Sequence, residues 1–585
     1  MIFVSARIQS YPLSFTLASM ETNVSFMRIS PWLILLFAAI FPPVIARETQ
    51  FSQFRILPVA EYREKMKAGW IGQIAGVAWG APTEFKWNDR IIPAADVPVW
   101  QPEMINNAFG QDDLYVEMTF LRSLEEYGLD VSIRQAGIDF ANSEYPLWCA
   151  NNAGRKNLRA GIAPPDSSHP KFNTCPNDID YQIEADYSGL IAPGMPNTVI
   201  ALGQKFGRLM NYGDGVYGGI FVGGMYAEAF FEDDILKIID AGLKCIPADS
   251  QYAEMVRDVV AWYKANPDDW EATWQLCQKK YRENPVYQKA SNGGIDVKIN
   301  GAYILIGMLY GKGDLDKTIV LSMRSGQDSD CNPSNAAGVL FTTLGFSKLP
   351  PRFSEKLDNT TKFNFTAYNV PELLDVCEKL TRQIVFWEGG RIVRDVSGSE
   401  VFIIPVKAPV APPLELSWEP GPFENSMFTD EERTKIRFQG FRTIDEAISA
   451  ILPGWAVKNC GTDMDPGKRD KYRGKTDIVM THPLNRDVPC SLERRIDVPA
   501  IGVTVLKTVV SNHPGHDWEL VIRVNGSPQK TVVVNEALTN GSWVEVLFDL
   551  TPFAGDSVQI ELENKANDWA FEAGYWASLS IETTD

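Results

Sequence analysis

Two hydrophobic periodicities divide this chain, and the point where one gives way to the other sets its architecture. Over residues 61 to about 380, apolar side chains recur every three or four positions, as in Ile235-Leu236-Lys237-Ile238-Ile239-Asp240-Ala241-Gly242-Leu243 and again over 253–263. That spacing places one apolar stripe on a helix. Stretches such as Ala163-Pro164-Pro165-Asp166-Ser167-Ser168 separate these segments, as loops over a helical core do. Beyond Phe386 the texture changes. Val401-Phe402-Ile403-Ile404-Pro405-Val406 reads as a strand and 407–413 as a stiff, Pro-rich connector. Further strands are expected over 518–524, 529–534 and 557–562, with Val524-Asn525-Gly526-Ser527 turning between the first two. The expected fold is multidomain: an all-α domain over 47–390, a connecting segment over 391–450, and an all-β sandwich of galactose-binding-like type over 451–585.

The first 46 residues are set aside from the fold. Met27-Arg28 precedes an apolar run from Trp32 to Phe41, and Val44-Ile45-Ala46 offers small residues at a cleavage position, which reads as a signal peptide with an upstream extension. Export to the periplasm or the extracellular space is expected. The run is too short for a stable membrane span and is broken by Pro42-Pro43. Eight cysteines, none in a CxxC pattern, leave disulfides open in such a compartment, with Cys460 and Cys490 as the first pair to test.

A formal net charge of −19 repels nucleic-acid phosphates, so no nucleic-acid partner is expected. The sequence carries no signal of oligomeric state. Of four histidines, only His169 lies in the helical region; His482, His513 and His516 fall in the β-rich part. HExxH, GxSxG and GxxxxGK[ST] are all absent. This disfavours histidine-rich zinc hydrolases, nucleophile-elbow esterases and P-loop enzymes. The chemistry is expected to rest on carboxylates and hard cations.

Two acidic clusters stand out: Gln111-Asp112-Asp113, and Gly326-Gln327-Asp328-Ser329-Asp330-Cys331-Asn332. Adjacent carboxylates repel unless a cation or a donor network offsets them, and oxygen ligands select Mg²⁺ or Mn²⁺. Each cluster alone also reads as a helix cap or a turn. Gly69, Gly72, Gly76 and Gly80 fall at intervals of three, four and four, one face of a helix suited to close packing. A third acidic stretch, 177–186, holds Asp178 and Asp180; it reads either as a solvated helix start or as a substrate contact. Tyr212-Gly213 opens a glycine-rich segment that lines a cleft or packs a helix, and Trp543, Trp569 and Trp576 are either sugar platforms or sandwich core.

Taken in order, the stretch from Gly72 to Phe85, Gln111-Asp112-Asp113 and the 326–332 motif resemble the ADP-ribosylglycohydrolase family over roughly residues 55 to 385. The resemblance implies an all-α domain with two Mg²⁺ or Mn²⁺ ions. It also implies Asp112, Asp113, Asp328 and Asp330 as ligands, and Glu84 as a carboxylate facing substrate or metal from a mobile loop. Gln111 and Cys331 stand where the family often has threonines. Val77 and Leu114 depart from its pattern as well, and Cys331 is a soft donor for a hard ion. Glu84, Asp113 and Asp328 are the expected catalytic residues, and Asp178, Asp180, Tyr212 and Gly213 the expected substrate contacts. The implied activity is hydrolysis of a glycosidic bond of ADP-ribosyl type, with a small-molecule or carbohydrate substrate. Two alternatives stand beside it: a secreted hydrolase of a furanoside or other carbohydrate using the same centre, and a non-catalytic carbohydrate- or nucleotide-binding protein.

Overall fold

The computed structural model describes residues 53–291, 295–441, 443–569 and 571–584, so the expected signal peptide lies outside the described residues. β1 (Phe54–Pro58) leads directly into α1 (Val59–Gly80). Further helices follow, among them α2 (Asp112–Tyr127), α3 (Cys149–Arg159), α4 (Asp214–Ala229), α5 (Val297–Gly311), α6 (Cys331–Leu344) and α7 (Val370–Trp387). Every residue of α5 is buried, which makes it a central strut rather than an amphipathic surface helix. The two segments read as helical from their periodicity fall in helices Ile235–Leu243 and Gln251–Ala265. Among the described residues no helix is long and apolar enough to cross a membrane.

The four-glycine face of α1 does one specific job. A Cβ on Gly76 would sit 2.4 Å from the Pro333 carbonyl oxygen, and one on Gly80 2.2 Å from the Ser329 oxygen and 2.4 Å from the Asp330 Cα. The missing side chains let α1 lie directly on the backbone at the start of α6. The close packing expected of this face is therefore what holds the late acidic motif in place.

The connecting segment is built into the helical domain. β2 (Arg391–Arg394) and β3 (Glu400–Pro405) form a three-stranded sheet with β1 in the order β1-β3-β2, with Phe54 opposite Pro405. Farther on the chain forms a strap. Ala163 N–H donates to the Ser426 carbonyl at 3.0 Å and Phe428 N–H to the Gly161 carbonyl at 2.9 Å. Asp166 accepts from the Glu424 and Ser426 N–H groups at 2.9 and 2.6 Å. Arg208 pairs with Glu415 at 2.6 Å.

The C-terminal domain is a sandwich of two antiparallel five-stranded sheets. One has the order β10-β9-β12-β7-β4 and the other β11-β8-β13-β6-β5. Their strands are β4 (Ala456–Lys458), β5 (Gly467–Tyr472), β6 (Lys475–Thr481), β7 (Cys490–Asp497) and β8 (Val503–Ser511), then β9 (Trp518–Val524), β10 (Ser527–Val534), β11 (Val544–Asp549), β12 (Ser557–Lys565) and β13 (Gly574–Thr584). The Asn525-Gly526 turn has φ of 51° and 77°, the left-handed pair that a two-residue hairpin requires. Trp576 is fully buried with its indole donating to Thr481 at 2.8 Å, so it is core. Trp543 is partly buried and donates to the Arg473 carbonyl at 3.0 Å. Trp569 stands edge-on to His482.

Candidate active site

The acids sit at two helix starts. Asp112 and Asp113 are the first two residues of α2, and Asp330 immediately precedes α6, whose first residue is Cys331. Unpaired N–H groups and the helix dipole favour carboxylates at such positions. Here the two starts also face each other in the interior. Ligand atoms of Asp112, Asp113 and Cys331 lie within 4.8 Å of one another, and so do those of Asp328, Asp330 and Cys331. Cys331 is the shared corner of both triads, with Sγ 3.1 Å from Asp113 Oδ2 and 3.8 Å from Asp330 Oδ1.

Asp113, Asp328 and Asp330 are buried, whereas Asp112 is partly exposed. Burial pushes all of these carboxyls up, and their mutual repulsion adds to it: Asp113 and Asp330 go well above the usual range, and Asp328 rises to about 8. Asp112 is also raised by burial, offset by backbone N–H groups at the α2 start and by the Trp148 indole. Glu84, which follows the short helix Ala81–Thr83, is pushed to about 8 by burial and then by Asp330 and Asp112. Its loop is fastened to the late motif. Thr83 Oγ1 lies 2.7 Å from Ser329 Oγ, and Phe85 N–H donates to the Gln327 carbonyl at 3.0 Å.

Asp113 Oδ1 and Asp328 Oδ1 are buried without a hydrogen-bond partner. Orphaned carboxylate oxygens are costly in an apolar interior unless a cation or donor meets them. Together with neighbouring oxygen donors they fit a hard divalent ion, and Cys331 is the one ill-matched donor. The Gln111 carbonyl already accepts from Leu114 and Tyr115, which leaves its side-chain amide as the available donor set.

The middle acidic stretch belongs to the same field. Asp178 and Asp180 are each 4% exposed, so the solvated helix start does not hold for them. Asp180 Oδ2 accepts from the Ala150 and Asn151 N–H groups at 2.9 and 3.2 Å, fastening the α3 N-terminus. Asp178 accepts from Ile179 and Ile295 and rises to about 7 through burial. Burial, Asp178 and Asp112 all push Asp180 upward. Tyr212 and Gly213 are turned to the strap: the Tyr212 hydroxyl accepts from Gly421 N–H at 3.2 Å, and a Cβ on Gly213 would lie 2.8 Å from Ser417 Oγ.

Three features were not foreseen from the sequence. Trp148, 63% exposed, presents its indole to Asp112 at the mouth of the acid field. Glu184, fully buried, accepts from Asn151 at 3.0 Å and feels Asp180 and Asp112. Beneath the centre, Gln73 donates to Glu117 and Asp186 at 2.7 and 2.9 Å, and Asn335 donates to Asp186 at 2.9 Å. Glu184 and Asp186 stand within the acid-rich 177–186 stretch, which was the available signal. Trp148 had none.

Comparison with known proteins bears on the helical domain most directly. No curated protein matches the chain. A solved structure described as an ADP-ribosylglycohydrolase-related protein complex aligns at 14% identity and a TM-score of 0.37, covering 55% of this chain and 99% of its own. A family 35 carbohydrate-binding module from Clostridium thermocellum aligns at 16% identity and a TM-score of 0.17, over 22% of this chain and 92% of its own. The model of the ADP-ribosylglycohydrolase family matches residues 58–387, more than half of the chain and the whole stretch carrying the acids described above, and the chain therefore belongs to the ADP-ribosylglycohydrolase family.

Proposed function

We propose that this chain is an exported, metal-dependent hydrolase that cleaves a glycosidic bond at the anomeric carbon of a ribose-type sugar, with an ADP-ribosyl conjugate as its substrate. Family membership supports hydrolysis of glycosidic bonds, and the observation that carries the finer reading is the pair of orphaned oxygens, Asp113 Oδ1 and Asp328 Oδ1, inside a ring of acids. Asp112, Asp113, Asp328 and Asp330 hold two Mg²⁺ or Mn²⁺ ions in this reading, with Gln111 and Cys331 at the margin. Bound ions supply charge compensation and an anchor for vicinal hydroxyls.

The chain's own residues do the rest. Glu84 is raised to about 8 by burial and by the charges of Asp330 and Asp112; with those charges offset by bound ions it would ionise and could accept the proton of the attacking water as the bond to the leaving group breaks. Asp113 and Asp328, ionised where a cation offsets their burial, would line the side of the site facing a sugar that becomes positive in the transition state. Asp178 and Asp180, whose oxygens are engaged by backbone N–H groups, act as positioning residues that set the 177–180 turn and the α3 start beside the acids, and Tyr212-Gly213 seats the strap there. The exposed face of Trp148 offers a platform for a ring of the substrate.

The β-sandwich and the apolar leader favour a second reading, in which the same centre cuts a furanoside or other carbohydrate outside the cell. Metal analysis of the purified chain beside Asp328→Asn tests the centre. We expect bound Mg²⁺ or Mn²⁺ in the wild type, with metal affinity and turnover falling about 10- to 100-fold in the variant. Unchanged metal content and turnover would remove the site. Activity on ADP-ribosyl-arginine, ADP-ribosyl-serine and aryl furanosides separates the two readings, and binding without any product defeats both.

A further inference from the structure

Eight cysteines are free thiols in this structure; Cys245, Cys277, Cys331, Cys377 and Cys490 are buried, and Cys460 is half-buried beside Cys490. Cys149 and Cys175 are different. Both are half-buried, and their Sγ atoms are 3.1 Å apart, inside the contact distance of two unbonded sulfurs. The backbone around them is already tied. Asn173 accepts from Cys175 N–H at 2.9 Å, while its amide donates to the Ala150 carbonyl at 2.9 Å and to the Met210 carbonyl at 2.7 Å. One asparagine thus holds the start of α3 and the Cys175 loop with the two sulfurs in contact.

We propose that Cys149 and Cys175 form a disulfide in the mature protein, clamping the start of α3 to the 174–178 loop along the wall of the acid field. The oxidant is an external disulfide, either that of a dithiol oxidase or oxidised glutathione. The Cys175 thiolate attacks one sulfur of the donor, whose S–S bond breaks and whose other sulfur leaves as a thiolate. Cys149 gives up its proton and attacks Cys175 Sγ, expelling the second donor sulfur. Two electrons pass to the donor, which ends as two thiols carrying the two cysteine protons. The hydrogen bond from Cys149 brings the Cys175 thiol down to about 6, which suits it to the first attack.

Asp178 lies close enough to the two thiols to complete a three-residue metal group. Both of its oxygens are already engaged, by Ile179 N–H at 2.8 Å and Ile295 N–H at 3.4 Å. A thiophilic ion wants four good ligands, and two thiols with an engaged carboxylate fall short of that. The disulfide fits the pair better. Its consequence is local: Trp148 precedes Cys149 and reaches Asp112, and Asp180 caps the same helix start, so the cross-link positions both without touching substrate.

The test uses the full chain, purified without reductant and equilibrated with oxidised glutathione. Free thiols are alkylated, the sample is digested, and peptides are mapped by mass spectrometry before and after reduction. The expected result is a 149–175 cross-linked peptide that disappears on reduction, with Cys149→Ser and Cys175→Ser each leaving the partner cysteine open to alkylation. Reduction is expected to lower the melting temperature by on the order of a few °C in the wild type, and less in the double variant. Full alkylation of both thiols after equilibration overturns the proposal, and so does zinc bound stoichiometrically and released by thiol reagents. If the variants do not fold, the wild-type peptide map decides. Loss of glycosidase activity has no bearing on that map, so the two readings fail separately.

Discussion

Cys331 Sγ lies 3.1 Å from Asp113 Oδ2, a contact between residues 218 positions apart that joins the two acidic motifs. Sulfur stands where an oxygen would suit a hard cation. Cys331→Ser keeps the size and supplies that oxygen. We expect Mg²⁺ affinity to rise about 10-fold by calorimetry; an unchanged or weaker affinity would place Cys331 outside the coordination sphere.

Asp328 is pushed up to about 8 in the fold, against an ordinary 3.8, chiefly because it is buried. Between those values the folded chain holds a proton that the unfolded chain has released. The metal-free protein is therefore favoured at low pH and loses stability as pH rises through 8, by up to about 1.4 kcal/mol per pH unit for each such proton. Scanning calorimetry in chelator from pH 5 to 9 is expected to show a falling melting temperature that Mg²⁺ flattens. A flat or rising metal-free profile would contradict it.

A methyl group on Gly80 has nowhere to go between Ser329 O and Asp330 Cα. Gly80→Ala is expected to cost about 1–3 kcal/mol by overpacking and to weaken metal binding by displacing Asp330. Gly69→Ala meets only the side chains of Thr342, Leu190 and Tyr226, so it serves as the control. Denaturant melts together with metal titrations check the pair. Equal losses of metal affinity in both variants would refute the link to Asp330.

Trp148 is 63% exposed while its indole reaches Asp112. If its face carries a substrate ring, Trp148→Ala raises KM about 10-fold with metal content unchanged, because lost stacking is worth about 1 kcal/mol or more. Steady-state kinetics on the active substrate of the panel read this. An unaltered KM would reduce Trp148 to a neighbour of Asp112.

Cys460 and Cys490, the pair singled out from sequence, meet through a thiol hydrogen bond at the head of β7. Peptide mapping under the same oxidising conditions is expected to find them joined as well. Both thiols free after equilibration with oxidised glutathione would count against it.

Periodicity and motif carried much of this architecture. Helices 235–243 and 251–265 and the β9–β10 hairpin lie where spacing and the Asn525-Gly526 turn put them. Asp112, Asp113, Asp328 and Asp330 are legible because they cluster locally in the sequence. Trp148 was not legible, since a lone aromatic gains meaning only from a tertiary neighbour. Nor was the burial of Asp178 and Asp180, because the bonds that offset it come from α3 and from Ile295. The 391–450 stretch read as a connecting segment because Pro-rich chain without periodicity looks unattached. Its partners, Gly161, Ala163 and Asp166 among them, are far away in sequence.

That strap separates two boundaries that are easily equated. The family match ends at 387, yet β3 at 400–405 supplies the strand partner of β1, and 415–428 cover the surface around Gly161 and Tyr212. A fragment cut at the family boundary would expose an unpaired edge strand and strip donors from the Asp166 carboxylate, inviting aggregation. The helical half therefore carries its own cover past the family boundary, and the ion pairs Lys156–Asp465 and Arg159–Asp470 tie the sandwich to α3, so the site wall and the sandwich share a seam.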